Sequence, residues 1–148
     1  MDKNQVDYTN IHWAPVINCV VSHGGKILIV KRSNKVGYYQ DYWNGISGFL
    51  DDDRTMKEKV IQEIEHELGV GLDEIESMQF GEIFHEPALK YKKTWIVHPV
   101  LVELKNNKIE PNWETDEYKW VYVDEIDKYK LLPGFKKVVE KIMSLKQT

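Results

Sequence analysis

The 148-residue chain holds a single cysteine, Cys19. One cysteine excludes an internal disulfide framework and the paired-cysteine spacing of zinc fingers, and it fits a reducing compartment. Basic charge is short as well: 20 Lys and Arg stand against 24 Asp and Glu, a formal net charge of -4. Binding a nucleic acid duplex through its phosphate backbone needs a basic surface, so that class is set aside. A small anionic ligand is not excluded, because a local cluster of cations or a metal ion can meet its charge. No apolar run approaches the roughly eighteen residues of a membrane span. The opening "MDKNQVDYTN" lacks the apolar centre of a secretory leader. The expectation is a cytoplasmic protein without membrane association. No repeat, low-complexity tract or linker breaks the chain, so one domain over residues 1–148 is expected, with 1–10 a loosely ordered N-terminal segment.

What is present is ordinary for a globular protein with a proper core: 42% apolar and 30% charged residues. "APVINCVVSH" and "KILIVKR" are β-branched-rich strands joined by Gly24-Gly25, which predicts a hairpin. A polar and aromatic loop follows, then a short strand in "NGISGFL" that ends at Gly48. "DDDRTMKEK" opens a helix that Asp52, Asp53 or Thr55 can cap and Gly69 can stop. "SMQFGEIFHEP", "KTWIVHPVLVEL" and "EYKWVYVDEI" are predicted as strands, with a turn at Asn106-Asn107 and a short acidic helix start after the last. Val138, Val139, Ile142 and Leu145 form one stripe of a closing amphipathic helix. Strands on both sides of a central helix, with a second helix at the end, predict an α/β layered domain with a mixed sheet.

The central helix carries "VIQEIEHELGV", residues 60–70. With Glu63 at zero on an ideal wheel, Val60, Ile61, Ile64 and Leu68 span about 60° to 160°, an apolar arc for the core. Glu63, His66 and Glu67 fall between about -60° and 40°, at the rim of that arc rather than opposite it. Like charges at i, i+4 repel. Carboxylates gathered at a cleft suit a hard divalent cation, and Mg²⁺ is usually held by a few carboxylates together with substrate phosphates. Spacing alone also fits a plain charged helix face.

From Gly48 the chain reads "GFLDDDRTMKEKVIQEIEHELGV", which resembles the Nudix box, G-x5-E-x7-R-E-U-x-E-E-x-G-U with U a bulky apolar residue. Gly48, Glu63, Ile64, Glu67, Gly69 and Val70 stand at their expected places. The lead-in hairpin, "YWNGISG" and "ETDEYKWVYVDEI" extend the similarity over most of the chain. Three positions depart: Arg54 replaces the first Glu, Gln62 the Arg, and His66 the first Glu of the final pair. Arg54 and Gln62 change together, which fits either a rebuilt contact between loop and helix or two tolerated surface residues. The resemblance implies a Nudix-type α/β/α sandwich with a mixed central sheet. It implies hydrolysis of a nucleoside diphosphate linked to another group, with Mg²⁺ or Mn²⁺ held by Glu63, His66 and Glu67. Imidazole suits Mn²⁺ better than Mg²⁺, and the histidine removes a negative charge, so attenuated activity is expected. A fold that binds a nucleotide or metabolite without hydrolysing it is the alternative. An isomerase of the same fold would need a catalytic cysteine near the box, and Cys19 lies far upstream.

Outside the box, the resemblance implies that an acidic residue before Trp120 reaches the site, as an extra metal ligand or general base. Glu114, Asp116 and Glu117 are candidates, and Glu117, which leads directly into the strand, is the expected catalytic member beside Glu63 and Glu67. Glu82 and Glu86 are weaker candidates. Lys31 and Arg32 are placed to bind a substrate phosphate, and Trp43, with Tyr38, Tyr39 and Tyr42, to stack on a base, while Gly48 lets the loop backbone approach the site. His85, His98 and Cys19 are expected to be structural. The partner implied is a small nucleotide or nucleotide derivative, and the family leaves room for a homodimer.

Overall fold

The computed structural model describes residues 12–146, so the expected N-terminal segment 1–10 lies outside the described residues. One eight-stranded mixed sheet forms the centre, with strands β1 (Trp13–His23), β2 (Lys26–Arg32), β3 (Trp43–Asn44), β4 (Ile46–Phe49), β5 (Ile75–Phe80), β6 (Phe84–Ala88), β7 (Lys93–Leu104) and β8 (Thr115–Val121). β1 and β7 run parallel over ten residue pairs, Trp13↔Thr94 to Ser22↔Glu103, while the other pairings are antiparallel. The β1–β2 hairpin turns on Gly24 and Gly25, both at positive φ (59° and 81°), a geometry that β-carbon-bearing residues rarely adopt.

Alternation along the strands divides the interior in two. Ala14 and Val20 of β1, Ile27 and Ile29 of β2, and Trp95, Val97 and Leu101 of β7 face helix α2 (Phe135–Lys146), whose Phe135, Val138, Val139 and Ile142 are buried. Ile17, Cys19 and Val21, Leu28 and Val30, and Val100, Val102 and Leu104 face helix α1 (Met56–Leu68) through its Val60, Ile64 and Leu68. The result is the α/β/α sandwich expected from the sequence. Cys19 is a free, buried thiol within the α1-side core.

Two predicted strands are each divided. "SMQFGEIFHEP" forms β5 and β6, both paired to β7 but on either side of Pro99, which has no N–H to continue a ladder. Gly81 instead donates its N–H to the Pro99 carbonyl at 2.9 Å. "NGISGFL" is divided at Gly45, where the chain leaves β2 and joins β1. No helix among the described residues is long and apolar enough to cross a membrane.

Candidate functional site

Helix α1 starts with a capping box: Thr55 Oγ1 accepts from the Glu58 N–H at 3.1 Å, and Glu58 Oε1 accepts from the Thr55 N–H at 3.0 Å. Gly69 ends it in the left-handed region. Those two ends set the rotation that buries Val60, Ile64 and Leu68 and puts Lys59, Glu63 and His66 on the rim. Just ahead of the helix, Arg54 donates from Nη1 to Asp52 at 2.6 Å and to Gln62 Oε1 at 2.9 Å. Arg54 and Gln62 both depart from the box, and they are in contact, so loop and helix are joined with the cation on the loop.

The end of β4 lies against the helix at Gly48. A β-carbon there would stand 2.7 Å from the Glu63 Cδ, so only glycine lets this carboxyl reach the strand. Glu63 is also tied to Lys59, one turn earlier, at 3.4 Å, and Lys59 reaches Asp51 at 3.6 Å. Deeper in, Glu67 is 5% exposed, and its Oε2 has no hydrogen-bond partner. Burial raises the Glu67 pKa well above the usual carboxylate range, and the nearby Glu63 and Glu114 carboxyls push it further the same way.

Glu114 arrives by way of the loop before β8, which docks on the free carbonyls at the C-terminal end of α1. The Asn112 N–H donates to the Glu67 carbonyl at 3.1 Å, and the Asn112 side-chain amide to the His66 carbonyl at 3.1 Å. The Glu110 N–H donates to the Leu68 carbonyl at 2.7 Å, and Asn112 Oδ1 accepts from the Glu114 N–H at 3.0 Å. These contacts satisfy the last turn of the helix and set Glu114 beside Glu67.

A cavity of about 480 Å³ opens from this acidic face and runs between the sheet and α2. Gly48, Asp51, Lys59, Glu63, His66 and Glu114 line one end, and Tyr38, Tyr39, Phe49 and Trp95 the other, with Trp113 at the rim, 58% exposed. Arg32 lies between them and donates from Nε to the Tyr38 carbonyl at 3.0 Å. Burial lowers its pKa, and the Glu67 and Glu114 carboxylates oppose that shift. One end of the cavity is thus charged and suited to an anion or cation, and the other is aromatic and suited to a flat ring.

Of the residues singled out from the sequence, Gly48, Glu63, His66, Glu67 and Arg32 come together here. Lys31, Glu117 and Trp43 do not. Lys31 and Glu117 face one another across β2 and β8 at 4.0 Å, partly exposed and outside the cavity lining. Trp43 is buried in the α2-side core, edge-on to Tyr129 with ring centroids 5.2 Å apart. Of the other two acidic candidates, Glu114 takes the place beside the helix, while Asp116 is exposed on β8 and outside the cavity lining. Glu86 lines the cavity, while Glu82 pairs outside it with Lys141. Lys59, Asp51 and Asn112 escape sequence reading. Lys59 had a signal: its wheel position is about 40° from Glu63, within the arc of the acidic triad.

The fold, the helix rim and the cavity beside it define an α/β sandwich with an acidic helix face at the mouth of a cleft. The chain belongs to the NUDIX family, whose domain model matches residues 12–142. Among solved structures it is similar to the NUDIX domain of Shewanella oneidensis NrtR complexed with ADP ribose (TM-score 0.74, 13% identity, covering 97% of this chain and 94% of that one). It is similar to the MutT NUDIX hydrolase from Burkholderia pseudomallei (TM-score 0.73, 16% identity, 88% and 98% covered). A third likeness is to a bifunctional NMN adenylyltransferase/ADP ribose pyrophosphatase from Francisella tularensis complexed with AMP and a Mn ion (TM-score 0.70, 19% identity). That match covers 89% of this chain and 41% of the Francisella protein, so the chain spans about two fifths of its length. No curated protein sequence matches the chain.

Nudix hydrolases generally use divalent metals. The residues present fit such an ion in donor type: Glu63, Glu67 and Glu114 offer hard carboxylate oxygens, Glu67 lies close to the other two, and no N–H or hydroxyl donor reaches its buried Oε2. Among the described residues no three His, Cys, Asp or Glu side chains are drawn together tightly enough to hold an ion as they stand. Glu63 is turned toward Lys59 instead.

Proposed function

We propose that the chain hydrolyses a phosphoanhydride bond in a nucleoside diphosphate linked to another group. The observation that carries this reading is the placing of Glu63 and Glu114 at the charged end of a cavity whose other end is aromatic, with Glu67 buried next to both. The ligands of the similar proteins, ADP ribose and AMP, support it, since each joins a flat base to phosphate. In this reading the base enters among Tyr38, Tyr39 and Trp95, and the diphosphate lies toward Arg32 and the rim of α1. Arg32 offers its guanidinium to phosphate oxygens. Glu63 and Glu67, with His66 at the edge, would hold Mg²⁺ or Mn²⁺. When bound, that ion supplies charge neutralisation at the diphosphate and a water of lowered pKa. Glu114 accepts the proton of the attacking water. The water oxygen bonds to phosphorus, the bridging P–O bond breaks, and the bridging oxygen departs with the other phosphate.

The test is a panel of nucleotide sugars, dinucleoside polyphosphates and nucleoside triphosphates, each incubated with the purified chain in Mg²⁺ and in Mn²⁺. Release of a nucleoside monophosphate or of phosphate, lost in Glu114→Gln, is the expected result. Tight nucleotide binding with no product in either metal would replace the enzyme with a binding module.

A further inference from the structure

Lysines on helix surfaces usually bury their methylenes and keep the ammonium in water. Lys59 does not. Its side chain is 9% exposed, and its ammonium lies between Asp51 and Glu63, whose side chains are 8% and 15% exposed. A buried ammonium is tolerated only when paired, and these two carboxylates supply the pairing. The Glu63 oxygen that meets Lys59 belongs to a residue that would also have to serve a divalent ion. The Glu63 carboxyl fills the space that a side chain at position 48 would take, so it lies close against the strand backbone on its other side. Two cations sharing one carboxylate also repel each other.

We propose that Lys59 is a resident counter-cation that competes with the divalent ion for Glu63, so that ion and diphosphate load together. Without ligand, the ammonium neutralises Glu63, and an ion has only the inner Glu67 and Glu114 to draw on. Lys59 also lines the cavity, so a diphosphate arriving there offers the ammonium new oxygens and releases Glu63 to the ion. Each ligand then strengthens the other, as linkage requires. This rests on the metal-dependent reading above.

The test measures Mn²⁺ affinity by electron paramagnetic resonance of the free ion, and ADP affinity in EDTA by calorimetry. Wild type is compared with Lys59→Met, near in shape but without charge. Lys59→Met should bind Mn²⁺ more tightly, on the order of tenfold, within the usual range of coupling between sites. It should bind metal-free ADP more weakly. Asp51→Asn supplies the opposite sign and serves should Lys59→Met not fold: it leaves the ammonium to Glu63 alone and should weaken Mn²⁺ binding. Equal Mn²⁺ affinity in wild type and the folded variants, with affinity still lost in Glu67→Gln, would overturn the role of Lys59 and leave the metal reading standing. Absence of Mn²⁺ binding in every one of these proteins would overturn the metal reading itself.

Discussion

Glu67→Gln should make the protein more stable and unable to respond to metal. The wild-type carboxyl is 5% exposed, with one oxygen unpartnered and two further carboxyls beside it. Its pKa in the fold is raised, by burial first and by Glu63 and Glu114 after. The folded state therefore holds its proton at pH values where the unfolded chain has given it up, and stability falls as pH rises. The loss begins near the ordinary carboxylate value of 4.5 and grows until the raised folded pKa is passed. Glutamine keeps the shape, carries no charge and brings donors to its neighbours. Replacing a buried carboxyl crowded by two others should return on the order of 1–3 kcal/mol at about pH 8. For a chain of this size that is roughly 2–4 °C in Tm per kcal/mol. Thermal melts of both proteins at about pH 5 and pH 8 should show the gap open at the higher pH and narrow at the lower. Added Mn²⁺ should raise the wild-type Tm, because an ion that binds only the folded state stabilises it, and should leave the variant unmoved. A variant that melts lower than wild type at pH 8, or an equal gap at both pH values, would refute the reasoning.

Asn112→Ala removes two side-chain hydrogen bonds, to the His66 carbonyl and from the Glu114 N–H, and should cost about 1–2 kcal/mol in melts. It should lower kcat more than it raises KM, because Glu114 is no longer held. Gln62→Arg alone sets two guanidiniums together and should destabilise slightly, while adding Arg54→Glu should recover the loss; the pair is exposed, so a double-mutant cycle should give a coupling of only about 0.5 kcal/mol. His66→Glu returns a hard oxygen ligand to the rim and should raise Mg²⁺-dependent initial rates relative to Mn²⁺-dependent ones, each factor of ten corresponding to about 1.36 kcal/mol of barrier.

Helical periodicity and caps make α1 and α2 legible, and the double glycine does the same for the hairpin, because local sequence decides those features. The break between β5 and β6 is not legible from its own residues. It comes from Pro99, on a partner strand, and a run of alternating residues carries no mark of its neighbour's missing N–H. The same limit governs the acidic residue outside the helix. Glu117 lies on β8 and meets Lys31 across the ladder, as strand geometry requires. Glu114 reaches the site because the loop folds back onto the end of α1 through Asn112, a long-range contact invisible to spacing. The wheel puts Lys59 on the acidic arc, but nothing local marks it as buried until Asp51, on the loop, is placed beside it. Arg54 and Gln62 are legible only as two departures that could be linked, and the structure supplies the bond between them.

Two features of this helix, His66 and Lys59, share a sign. Histidine at position 66 removes a negative charge from the rim, and the buried Lys59 ammonium adds a positive one next to Glu63. Both make the outer part of the site less attractive to a divalent ion. Neither touches Glu67, which stays buried, crowded by carboxyls and short of one partner. A site losing its ion altogether would gain stability by replacing Glu67 with a neutral residue, since no N–H or hydroxyl donor reaches its Oε2 and two other carboxyls crowd it. The cost of keeping it is borne in every folded molecule, and a visiting cation is the simplest agent able to offset it. On the proposed metal-dependent reading, the retained inner carboxylates and the neutralised outer one would give a weakened hold on metal, the charge that the ion would otherwise meet alone being shared with the diphosphate it accompanies.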